Sequence, residues 1–173
     1  MSPLDGRAPL VLDVRGLGRR AGAMMTIRRT APAPVELVNP MIGIPEGSDL
    51  AVDVMAESVI EGVLVTGTVT GNAQGSCSRC LEPVTVSLTV DVQELFQYAD
   101  LEGADQDEEL PTFDGELIDL EPTIRDAVVL ALPLAPVCDE ECQGLCSECG
   151  VLLAENPGHH HDQTDPRWAA LGT

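Results

Sequence analysis

The chain has 173 residues, 44% of them hydrophobic, with 29 acidic and nine basic residues and a net charge of −20. That apolar content is enough for a core and excludes wholesale disorder, while no apolar run approaches the ~18 to 20 residues of a membrane-crossing helix. All nine basic residues are Arg; six lie in residues 1–40 against three acids, and residues 41–173 carry three Arg against 26 acids. A body this acidic repels phosphate, which excludes a broad nucleic-acid-binding face.

Leu10, Leu12 and Val14 alternate with Val11, Asp13 and Arg15, as in a short half-buried strand. Residues 16–25 are rich in Gly and Arg and read as a loop, and Pro32 and Pro34 make the following stretch extended. Asn39-Pro40 and Pro45-Glu46-Gly47 are turn signals, after which Leu50, Val52 and Val54 alternate with polar Asp53. Val59, Val63, Val65 and Val69 share one face of the next run and Ile60 and Leu64 the other, suggesting a strand covered on both sides and ended by Gly71-Asn72. The clearest strand runs from Val84 to Gln93, with Val84, Val86, Leu88, Val90 and Val92 on one face. Six acids in residues 100–109 mark a solvated loop. A helix is then predicted: Asp119 or Glu121 can cap it and Pro122 fits its first turn. Ile124, Ala127, Val128 and Ala131 share a face, and Pro133 and Pro136 stop it. The expected fold is mainly β (α+β): an antiparallel β body with one helix and a small zinc-ribbon-like C-terminal tail. It divides into an Arg-rich arm and first strand (1–40), the β body plus helix (41–134) and a Cys/His metal-binding tail (135–173).

The N-terminus shows no signal-peptide pattern, because Arg, Gly and Asp interrupt every short apolar stretch. The expected compartment is therefore the cytoplasm, where structural disulfides are rare and six cysteines read first as metal ligands. The firmest cluster is Cys138, Cys142, Cys146 and Cys149, and two pairings are open. These four thiolates can close one zinc site within twelve residues. Alternatively there are two ions, one held by Cys77, Cys80, Cys138 and Cys142 and the other by Cys146, Cys149 and two of His159, His160 and His161, with His159 and His161 the candidates. The second pairing uses every cysteine and staples the tail to the β body. Cys77 and Cys80 also admit two other readings, buried small hydrophobes or a redox dithiol. A redox C-x-x-C, however, wants a strand-to-helix step, and here a strand follows.

Thiolate-rich sites are closed and mainly structural, and no phosphate loop, nucleophile elbow or H-E-x-x-H stretch occurs, so the chain reads as a non-enzymatic binding or assembly protein without a small-molecule substrate. The Arg-rich N-terminal segment, with Arg15, Arg19 and Arg20, and also Arg167 near the other end, are the candidates for a local RNA or partner contact. The same arginines can instead pair with the acidic body.

At these residues the chain resembles the YceD family. The blocks that carry the resemblance are Leu12-Asp13-Val14-Arg15-Gly16-Leu17-Gly18-Arg19-Arg20, Glu61 to Gly67, Cys77-Ser78-Arg79-Cys80-Leu81-Glu82-Pro83 and Asp119-Leu120-Glu121-Pro122. The helix to Pro133, Pro136-Val137-Cys138, Gly144 to Gly150 and Asp165-Pro166-Arg167-Trp168 complete it. The resemblance implies a role in accumulation of large-subunit ribosomal RNA, and hence in ribosome assembly; family genes commonly sit beside one for a large-subunit ribosomal protein. Many members have a late Cys-x-Cys where this chain has His159-His160-His161, a departure similar to actinobacterial versions. Others lack most of the cysteines, which implies that metal is scaffold rather than mechanism. The expected partners are large-subunit ribosomal RNA or its precursor, touched locally, and basic ribosomal proteins steered by the acidic body. The alternatives are a zinc-binding adaptor for a basic protein with no ribosomal role, and a dithiol redox protein.

Overall fold

A computed structural model describes residues 4–99, 110–113 and 115–161. Its elements are β1 (Val11–Asp13), β2 (Met24–Pro32), β3 (Ile42–Gly43), β4 (Asp49–Ser58), β5 (Gly62–Ser76), β6 (Pro83–Tyr98), β7 (Thr112–Phe113), β8 (Leu117–Asp119) and one helix, α1 (Glu121–Ala131). The main sheet has the order β2-β4-β5-β6-β7, with β3 on β5, and every pairing is antiparallel except β6 with β7. β1 and β8 form a separate antiparallel pair.

Strict alternation builds the sheet. Leu50, Val52, Val54 and Ala56 of β4, Val63, Val65, Val69 and Ala73 of β5, and Val90, Val92, Phe96 and Tyr98 of β6 are buried in one cluster. Ile124, Val128 and Leu132 join it from α1 and its C-terminal cap, and Leu12 and Ile118 from the small pair. Burying each such side chain is worth about 1.5–3 kcal/mol. The opposite face stays polar and exposed, with Arg28, Asp53, Thr85 and Asp91 among its residues. α1 stops where the sequence signals lie, leaving at Leu132-Pro133, and a proline sits in its first turn, but its N-cap is Leu120 without a side-chain cap bond; Asp119 Oδ1 instead accepts from the Glu121 N–H at 2.9 Å, and Ala131, expected on the buried face, is exposed.

Several expectations change. Within residues 4–40, β1 pairs with β8, and β2, an additional strand, pairs with β4 over its whole length. The stretch expected to be a loop to Met25 gives way to strand at Met24. β5 runs through Gly71-Asn72 instead of ending there, because a side chain on Gly71 would lie 2.7 Å from Leu50 Cδ2 and 3.0 Å from Ile44 Cδ1; the missing Cβ makes room for the core and marks no turn. β5 is not covered on both sides either: Ile60 falls in the tight turn before it and is 83% exposed, and on the second face Leu64 is only half-buried while Asn72 and Gln74 are exposed. The acidic 100–109 segment lies outside the described residues.

Candidate metal centre

β5 and β6 form one long hairpin whose tip is Cys77-Ser78-Arg79-Cys80. The Cys77 N–H donates to Glu82 O at 2.8 Å and the Leu81 N–H to Cys77 O at 3.0 Å. The tail repeats this turn. The Cys146 N–H donates to Val151 O at 2.9 Å and the Gly150 N–H to Cys146 O at 2.8 Å. The fifth residue of each turn is left-handed, Leu81 at φ 64° and Gly150 at φ 73°. Glycine takes that conformation freely, whereas a leucine there costs about 1–2 kcal/mol. The two C-x-x-C stretches are thus the same knuckle used twice.

In both knuckles backbone N–H groups aim at the first sulfur. The Cys77 thiol is lowered to about 6 by the N–H of Cys80 and then of Arg79, against the effect of burial. Cys146 is likewise lowered to about 6 by the N–H groups of Cys149 and Glu148. These donors favour the thiolate, the form that binds metal.

The partners of each knuckle come from different places. Cys77 and Cys80, 0% and 5% exposed, face Cys138 and Cys142. Cys77 Sγ lies 3.9 Å from Cys142 Sγ, and Cys80 Sγ lies 3.6 Å from Cys138 Sγ. Four thiolates on a tetrahedral ion at about 2.3 Å sit about 3.8 Å apart, so the cluster already has the spacing of an ion's coordination shell. Without an ion the neighbouring sulfurs oppose ionisation of Cys138: Cys142, then Cys80, push its thiol up to about 12. A bound cation removes that penalty, and the donor set fits one.

Arg79 locks this arrangement. Its Nη1 donates to Glu140 O at 2.9 Å and Cys142 O at 3.0 Å, and its carbonyl accepts from the Leu145 N–H at 3.0 Å. Gly144 makes the close approach feasible: a Cβ there would lie 2.9 Å from Arg79 O, and its φ is 76°. Sequence reasoning missed Arg79, whose only signal is its place inside the C-x-x-C.

The second cluster is Cys146, Cys149, His159 and His161, and it is more exposed. His159 Nε2 and His161 Nε2 lie 3.2 and 3.3 Å from Cys149 Sγ and 2.9 Å from each other, slightly inside the about 3.3–3.6 Å of a tetrahedral shell with two nitrogens. His160 turns away, its Nδ1 at 3.1 Å from Gly158 O. Glu148 Oε2 lies 3.3 Å from His161 Nδ1, which orients that ring and leaves Nε2 free for a metal. Glu148 too was missed by sequence reasoning. Each cluster's ligand atoms lie within 4.8 Å of one another, and each cluster could hold a metal ion. The four tail cysteines do not converge on one site; they are shared between the two clusters.

The arginines proposed for RNA or partner contact are partly engaged within the chain. Arg15 pairs with Asp13, and the Arg19 guanidinium lies 4.3 Å over the Tyr98 ring. Arg20 is exposed in the loop before β2, and Arg167 lies outside the described residues.

The model of the family described as large ribosomal RNA subunit accumulation protein YceD matches residues 65–173, a span that contains both knuckles and α1. The chain belongs to the YceD family. Uncharacterized proteins of Mycobacterium tuberculosis and Mycobacterium bovis are 46% identical to it over 166 residues, covering 95% of this chain and 80% of theirs. One from Mycobacterium leprae is 41% identical over 167 residues, covering 95% of this chain and 76% of that protein. No solved structure matches. Where many YceD proteins are expected to carry Cys-x-Cys, this chain converges His159 and His161, which keep the same spacing.

Proposed function

We propose that this YceD protein is a non-enzymatic factor in the accumulation of large-subunit ribosomal RNA, shaped by two structural zinc ions. The observation that carries this reading is a family-matched region that contains a four-cysteine cluster and a two-cysteine, two-histidine cluster, each able to hold a metal ion. Cys77, Cys80, Cys138 and Cys142 hold one zinc, which fastens the tail to the hairpin tip; Cys146, Cys149, His159 and His161 hold the other. Four protein ligands leave no open position for substrate, so the ions act as scaffold. The thiolates favour zinc over magnesium or calcium, which take oxygen ligands. The partners are the basic proteins of the large subunit, drawn to an acidic body, with any RNA contact confined to residues such as Arg20. Depleting the protein is expected to lower large-subunit ribosomal RNA relative to small-subunit RNA; unchanged levels would refute the ribosomal role.

A second reading is favoured by the charge alone: an adaptor that holds a basic protein outside ribosome assembly. Affinity purification that returns a basic partner but no ribosomal proteins supports it. The dithiol reading is disfavoured by the position of Cys77 and Cys80 at a strand-to-strand turn among four gathered sulfurs. Two zinc ions per chain with no titratable free thiol would eliminate it.

A further inference from the structure

β6 is 16 residues long, and β5 covers its inner edge from Ser76↔Pro83 to Gly62↔Gln97. The outer edge meets β7 only at Gln97 and Tyr98. Among the described residues no strand pairs with it from Pro83 to Leu95, a span of about 40 Å with a row of outward main-chain donors and acceptors. Edge strands are usually blunted by bulges, lysines, internal prolines or a covering helix or loop; α1 packs against β6, yet Val84, Val86 and Leu88 stay half-buried and Thr85, Ser87 and Thr89 exposed. Here the register with β5 is unbroken, and residues 84–95 contain neither proline nor a basic side chain.

The side chains along this edge select what can dock. Val84, Val86 and Leu88 lie on the core-facing side yet are only half-buried, where the cluster thins out towards the hairpin tip. Thr85, Ser87, Thr89 and Asp91 stand exposed on the other side. Residues 81–98 hold Glu82, Asp91 and Glu94 and no cation, and six more acids follow in residues 100–109.

We propose that the open edge of β6 receives an extended, basic segment of a partner protein as an added strand. This rests on the basic-protein partnership proposed above and assigns it a place. Main-chain bonds supply affinity, while alternation supplies selectivity: apolar residues cover Val84, Val86 and Leu88, Arg or Lys residues on the other face meet Asp91, and cations at the two ends of the segment meet Glu82 and Glu94, which flank the apolar side. A second copy of the chain is the poorer occupant. Antiparallel self-pairing centred on Leu88 sets Glu82 opposite Glu94 twice, between two bodies of charge −20 each. A nucleic-acid strand lacks the amide ladder and is repelled by the same carboxylates.

The test uses the full, zinc-loaded chain and, as probe, a capped 12-residue peptide alternating valine with arginine or lysine. Backbone amide exchange is followed by NMR. In the free chain alternate amides from Val84 to Leu95 exchange fast; the peptide is expected to slow that set at least about tenfold, with little change in β2 or β4. The same peptide with its alternate amides N-methylated keeps its charge and is expected to lose the protection. Binding that survives methylation and protects no β6 amide shows attraction to an acidic surface only, and overturns the proposal. So does protection already present in the free chain, which signals a second copy if it grows with concentration and the chain's own residues if it does not. Peptide docking along β6 together with normal large-subunit RNA after depletion removes the ribosomal role and leaves the edge; the reverse removes the edge alone.

Discussion

Removing zinc is expected to unfold the tail and leave the sheet standing. Beyond Pro136, Gly144 is the only buried residue among those described, so residues 138–161 have no apolar core of their own. Ordering these 24 residues costs at least about 24 kcal/mol at roughly 1 kcal/mol each. Arg79 offers bonds to Glu140 O, Cys142 O and the Leu145 N–H, together worth about 3–7 kcal/mol net, and the turn bonds within the tail add about as much again. The shortfall is at least on the order of 10 kcal/mol, within what the two proposed zinc ions supply at ~10–16 kcal/mol each in small domains. Amide exchange with and without a chelator measures this. The amides of Cys146, Gly150 and Leu153, which are hydrogen-bonded in the fold, are expected to fall to random-coil rates, while those in the centre of β4 and β5 keep their protection. Tail amides that stay protected after both ions are removed would refute the reasoning, because some other interaction would then be carrying the order.

Three further outcomes are expected. Elemental analysis of His159→Ala or His161→Ala is expected to find one zinc per chain instead of two, and of His160→Ala still two; Glu148→Ala weakens the second ion by about 10–100-fold, read by chelator competition, and Glu148→Gln by less. Ile124→Ala, at a fully buried site on α1, is expected to cost about 2–5 kcal/mol and lower the Tm by roughly 5–15 °C in a thermal melt of the zinc-loaded chain, whereas Leu130→Ala, at an 87% exposed site, changes little. The Arg15 guanidinium and backbone N–H lower the Asp13 carboxyl from 3.8 to about 2, so that pair stabilises the fold above about pH 4 and the contribution fades as pH falls towards 2; in Arg15→Ala the NMR titration of Asp13 moves up towards 3.8 and the two stability curves converge in acid.

The elements legible in the sequence were those whose periodicity is unbroken. β6 shows five alternate apolar positions, and α1 shows capping groups, an early proline and a terminal proline. β2 escaped because its inward positions are Met25, Ile27, Arg29 and Ala31, and an arginine facing inward breaks the alternation; its Nη2 donates to Val11 O at 3.1 Å. β3, β7 and β8 have two or three residues each, too few to show a period. In the metal clusters the ligand types were plain from spacing, but the pairing was not, because Cys138 to Cys149 are close enough in sequence to close on themselves. Tertiary contacts decide between the two: Arg79 draws the 140–142 turn onto the hairpin tip, and left-handed Gly144 sends the chain away before Cys146. Neither Arg79 nor Gly144 carries a spacing signal.

The ligands of the first centre also impose an order in time. Cys77 and Cys80 leave the translating ribosome 58 residues before Cys138. At about 5–20 residues per second the hairpin tip waits roughly 3–12 s with half a coordination shell. During that interval its two thiols are open to oxidation or to a borrowed ion, so on the two-zinc reading the first site fills only once Cys142 has emerged. The second centre draws all its ligands from residues 146–161 and completes within about 1–3 s of its first cysteine. On the two-zinc reading a long-range clamp and a local one therefore close within seconds of each other, and any truncation before Cys138 leaves the hairpin tip with only two of its four ligands.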